Sequence, residues 1–333
     1  MKWNLKTISF VFLTSSLILA SCKKEGCTDP EATNYSEEAK KDDGSCQFET
    51  PQADAQVLMN FFANNQTAAV QTFTIDATAA SSITGSQGTV FNFYANSFVD
   101  ASGNDVTGNV TIELIEIYGK KDMMFLNKQT IGNNNGTLEP LISGGEFKVT
   151  ASQNGNEVFL KDYYQYSADV QAPNGVDANM EIFYQSSPGD DTLVWSAADS
   201  SLIWGQGTVY NAYFDSLGWV NCDYFMGQAG PYTEVDIEVP NGLNNQNCAM
   251  FISFDGYNSL TNVYGYSNSV FSTGPSYSLP VGMNIHIIAL AFINNTPHAA
   301  IVPVTIVDNH YEVIGSLTAT TEAQLTQDIQ NLP

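Results

Sequence analysis

The sequence predicts an all-β, mainly antiparallel fold, two tandem sandwich-like domains closed by a short C-terminal helix, and three observations carry that expectation. Apolar residues recur at period two in short runs, the spacing of half-buried strands. Gly, Asn and Asp cluster between those runs, where turns need them. Of 333 residues 12% are aromatic and only 14% charged, with many Asn, Ser, Thr, Gly and Tyr, a composition that suits exported β-structure.

Taken in order, residues 56 to about 180 read as short strands between turn clusters. Residues 88–94 form one strand and 100–105 a loop. In 110–117, Val110, Ile112 and Leu114 alternate with Thr111, Glu113 and Ile115. Residues 144–151 and 154–160 suggest a hairpin turning at Asn154-Gly155-Asn156. Trp195, Trp204 and Trp219 are expected to cluster where a second β-rich region begins, with further strands at 235–239, 249–254 and 285–292. In 321–332, Leu325, Ile329 and Leu332 share one face of a short helix expected to pack on the last sheet. These readings divide the chain into residues 1–21, 22–55, 56–180 and 181–333.

Residues 1–21 carry Lys2 and Lys6, a short apolar stretch and the small residues Ala20-Ser21 before Cys22, the build of a signal peptide. The apolar stretch, broken by Thr14, Ser15 and Ser16, is shorter than the roughly 20 residues that span a bilayer core. Leu19-Ala20-Ser21-Cys22 resembles the lipobox of bacterial lipoproteins. The resemblance implies that Cys22 is lipidated and becomes the first residue of the mature chain, with two or three acyl chains holding it to a membrane.

The other cysteines, Cys27, Cys46, Cys222 and Cys248, are even in number in an exported chain, where disulfides persist. Three connectivities are possible, and Cys27–Cys46 with Cys222–Cys248 is the economical one. Without Lys2 and Lys6 the chain keeps 9 lysines against 35 acidic residues, a net charge of −26, and it has no arginine. Nucleic acid and anionic headgroups are therefore poor partners for the body of the protein.

Residues 26–46 contain Gly26-Cys27-Thr28-Asp29-Pro30, Ala32-x-Asn34-Tyr35 and Asp42-Asp43-Gly44-Ser45-Cys46. This pattern resembles a short module of secreted Bacteroidetes proteins. Asp29, Asp42 and Asp43 could hold Ca²⁺, but their spacing is not that of an EF-hand loop, and Asp-Pro and Asp-Asp-Gly are also plain turn signals. No cofactor is otherwise expected. Over residues 75–160, Gly88-Thr89, Phe98-x-Asp100, Val106-Thr107-Gly108, Leu114-x-Glu116 and Gly145-x-Phe147 resemble the ZU5-like β-domain of bacterial surface proteins, which implies a scaffold without an active site of its own. Residues 217–225 resemble a Gly-Trp-Ile-Asn-x-Asp-x-Phe element of Bacteroidetes surface lipoproteins.

Chemistry is sparse. His286, His298 and His310 stand twelve apart and form no zinc helix. No nucleophile elbow and no Ser-x-x-Lys occurs. Paired carboxylates for glycoside hydrolysis cannot be singled out among 35 acidic residues. The tyrosines at 163, 164 and 166, at 210 and 213, and at 257, 264, 266 and 277 offer either stacking surfaces or core pairs. Thr192 and Ser216, each after Asp and before Leu, resemble Bacteroidetes O-glycosylation acceptors. The sequence thus predicts a non-enzymatic lipoprotein of the outer membrane, held by its lipid and presenting β-domains to a glycan or protein ligand. Its rival is a carbohydrate-active or peptidase-like enzyme. Lys23-Lys24-Glu25 partly resembles an export signal to the outer face, so the body is expected at the cell surface, the alternative being a periplasm-facing body.

Overall fold

The computed structural model describes residues 24–30, 32, 34–46, 52–173, 175–186, 193–227, 229–274 and 277–333. It divides into two units at Pro51/Gln52. In the first, Cys27 and Cys46 are disulfide-bonded with Cα atoms 4.7 Å apart, inside the range such bonds require. A backbone bond from Gly26 to Lys41 and one from Ser36 to Cys27 fold the loop over Cys27 and Ala39, both buried.

The second unit is mostly β and holds two sandwiches. In the first, a large sheet orders Gln71–Asp76, Asn109–Ile117, Thr137–Gln153, Gly218–Phe225, Glu181–Gln185, Trp195–Ala197 and Ile131–Asn134. Its face carrying Ile112, Leu114, Phe147 and Val220 packs on a five-stranded sheet ordered Leu202–Gln206, Val209–Phe214, Tyr166–Gln171, Val90–Phe93 and Ser81–Thr84. Strand Ile131–Asn134 also pairs with the start of Thr137–Gln153. The ladder is thereby closed through five strands around Leu141, Phe183 and Trp195.

The second sandwich sets Gly265–Ser267, Val270–Ser272, Val235–Glu238 and His310–Val313 against Leu260–Asn262, Cys248–Phe254, Asn284–Ile293, Thr296–Thr305 and Thr318–Ala319. The outer face of its longer sheet, with Phe251, Ile288 and Leu290, is covered by three helices, Ala55–Ala68, Lys120–Phe125 and Glu322–Gln330. The last buries Leu325 and Ile329 there, as its apolar face requires.

Four sequence expectations need correction. Residue 180 is no boundary, because strands 181–185, 195–197 and 218–225 complete the sheet begun by 109–117 and 137–153. Residues 55–68 are helical. Asp54 accepts from the Gln56 and Val57 amides as N-cap, and Leu58, Phe61 and Phe62 give the buried stripe. The hairpin turn is tighter than expected: Gln153 pairs with Asn156 across Asn154 and Gly155, both at positive φ, and Phe159–Leu160 pairs with Phe98–Val99 instead. Finally, Cys222 and Cys248 are free thiols. Cys222 faces the first core and Cys248 the second, so the two separate packing units that claim them hold them apart.

Candidate functional site

The five-stranded sheet of the first sandwich buries Phe91, Phe93, Tyr166, Tyr210 and Phe214, so by strand alternation their neighbours face outward. Two rows cross that outer face. Leu202, Tyr213, Ser167, Asn92 and Ser82 make one, and Trp204, Asn211, Asp169, Val90 and Thr84 the other. Trp204, 50% exposed, stacks diagonally on Tyr213 with centroids 5.5 Å apart and planes 24° from parallel. Tyr94, 43% exposed, brings its hydroxyl to Tyr213 and Ser167. The Ser82 hydroxyl donates to Asn92 Oδ1 at 2.6 Å, and Asn92 Nδ2 donates to Ser167 Oγ at 3.4 Å. On this face aromatic rings adjoin a ladder of amides, hydroxyls and the Asp169 carboxylate. Contiguous exposed apolar groups are the kind of surface on which a partner can dock, whereas single ones are ordinary.

A cleft of about 740 Å³ is lined by Tyr118, Tyr210, Tyr224, Tyr257, Asp177 and Asn258, among others. The Tyr118 hydroxyl shares a hydrogen bond with Thr89 Oγ1 at 2.6 Å and accepts from the Gln171 amide at 3.2 Å, and burial pushes its pKa up to about 12. The Tyr210 hydroxyl accepts from the Asp177 amide at 2.5 Å. An adjoining lobe of about 580 Å³ contains Lys120, whose Nζ donates to the Phe254 carbonyl at 2.8 Å and the Pro333 carbonyl at 2.5 Å. Burial lowers the Lys120 pKa to about 8 against the opposing pull of Asp255. Asp177 is the one carboxylate, and there is no histidine, among the described residues lining the larger cleft.

The residues singled out in sequence scatter. Cys22 and Thr192 lie outside the described residues, and Ser216 is exposed in the turn before strand Gly218–Phe225. Trp195 and Trp219 share one small core while Trp204 lies on the outer face of the opposite sheet, so the three tryptophans do not cluster. Tyr257 lines the cleft; Tyr264, Tyr266 and Tyr277 line a separate pocket of about 660 Å³. Tyr166 is core, and Tyr163 is fully exposed in a loop. His286 Nδ1 meets Asp255 Oδ1 at 2.7 Å, His298 Nδ1 meets its neighbour Thr296 O at 3.0 Å, and His310 accepts from the Val307 amide. Asp42 Oδ1 accepts from the Gly44 amide and Asp43 Oδ1 from the Ser45 amide, as turn formers do. Among the described residues no group of three or more His, Cys, Asp and Glu side chains is placed to share a metal.

Sequence reasoning missed three buried polar residues, Glu146, Asn221 and Asp223, each 0% exposed. Burial raises the pKa of Glu146 well above the usual carboxylate range, and Asp223 adds to that rise. It does the same to Asp223 against hydrogen bonds that oppose it. Their one sequence signal is Asn221-x-Asp223, two polar residues at period two in an otherwise apolar strand. Compared with known proteins, the chain matches no family model and no curated protein.

Proposed function

We propose that this chain is a non-enzymatic lipoprotein, anchored to the outer membrane through Cys22, whose first sandwich binds a neutral glycan on its outer sheet face. The stacked, half-exposed Trp204–Tyr213 pair beside a polar ladder carries the reading. Ring faces suit the C–H face of a sugar, and the flanking amides and hydroxyls suit its hydroxyls. A net charge of −24 disfavours anionic polysaccharide and nucleic acid. The lipobox-like Leu19–Cys22 segment and Lys23-Lys24-Glu25 support an anchored, outward-facing body, and the likeness to ZU5-like surface scaffolds supports a presenting rather than a catalytic role.

The enzymatic rival rests on the tyrosine-lined cleft, where glycoside hydrolysis would need a second carboxylate opposite Asp177. The experiment is retention of the purified protein by a panel of immobilised neutral polysaccharides, with release of reducing sugar followed in parallel. Retention without release supports the proposal; release of sugar assigns the chain to the rival class.

A further inference from the structure

Strands Thr137–Gln153 and Gly218–Phe225 pair so that Asn221 stands directly opposite Glu146, and Phe183 of the next strand directly opposite Asn221. Ile117 flanks Glu146 on its other side, which makes Ile117, Glu146, Asn221 and Phe183 one row on one face. The register then slips. Cys222 opposes Gly145 but Asp223 opposes Ser143, leaving Gly144 as the extra residue of a bulge. That extra residue turns Ser143 to the same face as Glu146, three positions on. Side chains are excluded from the bulge, since a Cβ on Gly144 would meet Met180 and the Cys222 carbonyl at 2.8 and 3.0 Å.

The polar atoms gathered there do not satisfy one another. Asn221 Nδ2 donates to Asp223 Oδ2 at 2.5 Å, and the Ser143 hydroxyl and Gly144 amide also favour the Asp223 carboxylate. Both oxygens of Glu146, Oδ1 of Asn221 and Oδ1 of Asp223 are buried without a donor. Four orphaned oxygens of three adjacent side chains would each carry a desolvation cost if left empty. With both carboxyls ionised all four are acceptors only, and a single cation among them would serve all four at once. Lys128 is the cation that Glu146 feels, but its Nζ lies over the Trp219 ring, 5.1 Å from the centroid.

We propose that Glu146, Asn221 and Asp223 bind a divalent cation of calcium size. Ca²⁺ takes six to eight hard oxygen ligands in a flexible arrangement and accepts a bidentate carboxylate. Glu146 supplies two oxygens, Asn221 and Asp223 one each, and water the remainder. Ser143 and Gly144, which touch Asp223, also line the 740 Å³ cleft, and that cleft is the proposed route by which ion and water would enter. Mg²⁺, which demands small octahedral geometry and holds its waters, fits such a set less well.

The test uses the whole protein. Trp219, two residues before Asn221 on the same face, should sensitise Tb³⁺ luminescence, with Ca²⁺ competing for one ion per chain. Glu146→Gln and Asp223→Asn keep side-chain shape and should weaken Tb³⁺ binding by about 10-fold or more, since groups that merely support a metal already cost that much. Asp308→Asn, at an exposed position, should change nothing. No sensitised binding, or equal binding by Glu146→Gln and Asp223→Asn, overturns the proposal. Independently of any variant, Ca²⁺ should raise the thermal midpoint of the wild-type chain above its value in a chelator, and more than Mg²⁺ does. No rise, or an equal rise with both ions, also overturns it.

Discussion

Trp204 lies across Tyr213 on the solvent side of a sheet whose other side is filled by Phe91, Phe93, Tyr166 and Phe214. The two faces of one sheet therefore make opposite claims on their aromatic residues, and substitutions should separate them. Phe147, fully buried and in edge contact with Phe91 at 5.4 Å and Tyr118 at 5.6 Å, should cost about 3–5 kcal/mol on change to alanine. Trp204→Ala should cost less than about 1.5 kcal/mol, the scale of an exposed aromatic pair. Chemical denaturation of both variants checks the contrast.

Cys222 and Cys248 are buried thiols whose pKa values burial raises, that of Cys248 to about 12. Neither should react with a thiol reagent in the native protein, and both should react in denaturant. Mild reduction should open Cys27–Cys46 and leave the unfolding of residues 52–333 unchanged. A native protein with no thiols even when unfolded would mean that Cys222 and Cys248 are bonded after all.

Lys120 gives the stability a pH signature. Its folded pKa of about 8 lies below the unfolded lysine value of about 10.4, so between those values the unfolded chain binds the extra proton. Stability attributable to Lys120 should therefore rise as pH increases through that window. Buried thiols and tyrosines such as Cys222, Cys248 and Tyr118, whose pKa values burial raises, act in the opposite sense over the same range, so the signature is a difference: from about pH 7.5 to 10.5 the thermal midpoint of the wild type should gain on that of Lys120→Met.

Fold class was legible because strand alternation is local. Val110, Ile112 and Leu114 announce their buried face without any knowledge of the partner strand, and Leu325 and Ile329 do the same for the last helix. Which strands join which sheet was not legible, since strand 218–225 pairs with 137–153 far earlier in the chain and 181–185 joins the sheet only through 218–225, and nothing local marks residue 180 as continuous. The helix at 55–68 was missed although Leu58, Phe61 and Phe62 are spaced for it. Of the proposed binding face, Tyr213 was among the candidate stacking residues. Trp204 was misplaced because its exposure depends on belonging to an edge strand. Glu146 was invisible because a glutamate in a strand ordinarily faces water, and only the row through Asn221 and Phe183 buries it.

The proposed anchor and outward orientation are tested separately. Intact-mass analysis should find residues 1–21 removed and acyl mass on Cys22, and proteinase added to whole cells should digest the body. Protection until the outer membrane is opened would place the body inside and remove the surface role.

The proposed function requires that the Trp204 face, not the tyrosine-lined cleft, holds the ligand. Affinity for the polysaccharide that retains the wild-type protein should be measured for Trp204→Ala and Tyr257→Ala. Trp204→Ala should lose about 2 kcal/mol, roughly 30-fold, as an aromatic anchor at a binding hot spot does, while Tyr257→Ala should bind as the wild type does. Full affinity in Trp204→Ala, or loss only in Tyr257→Ala, would contradict the proposed function.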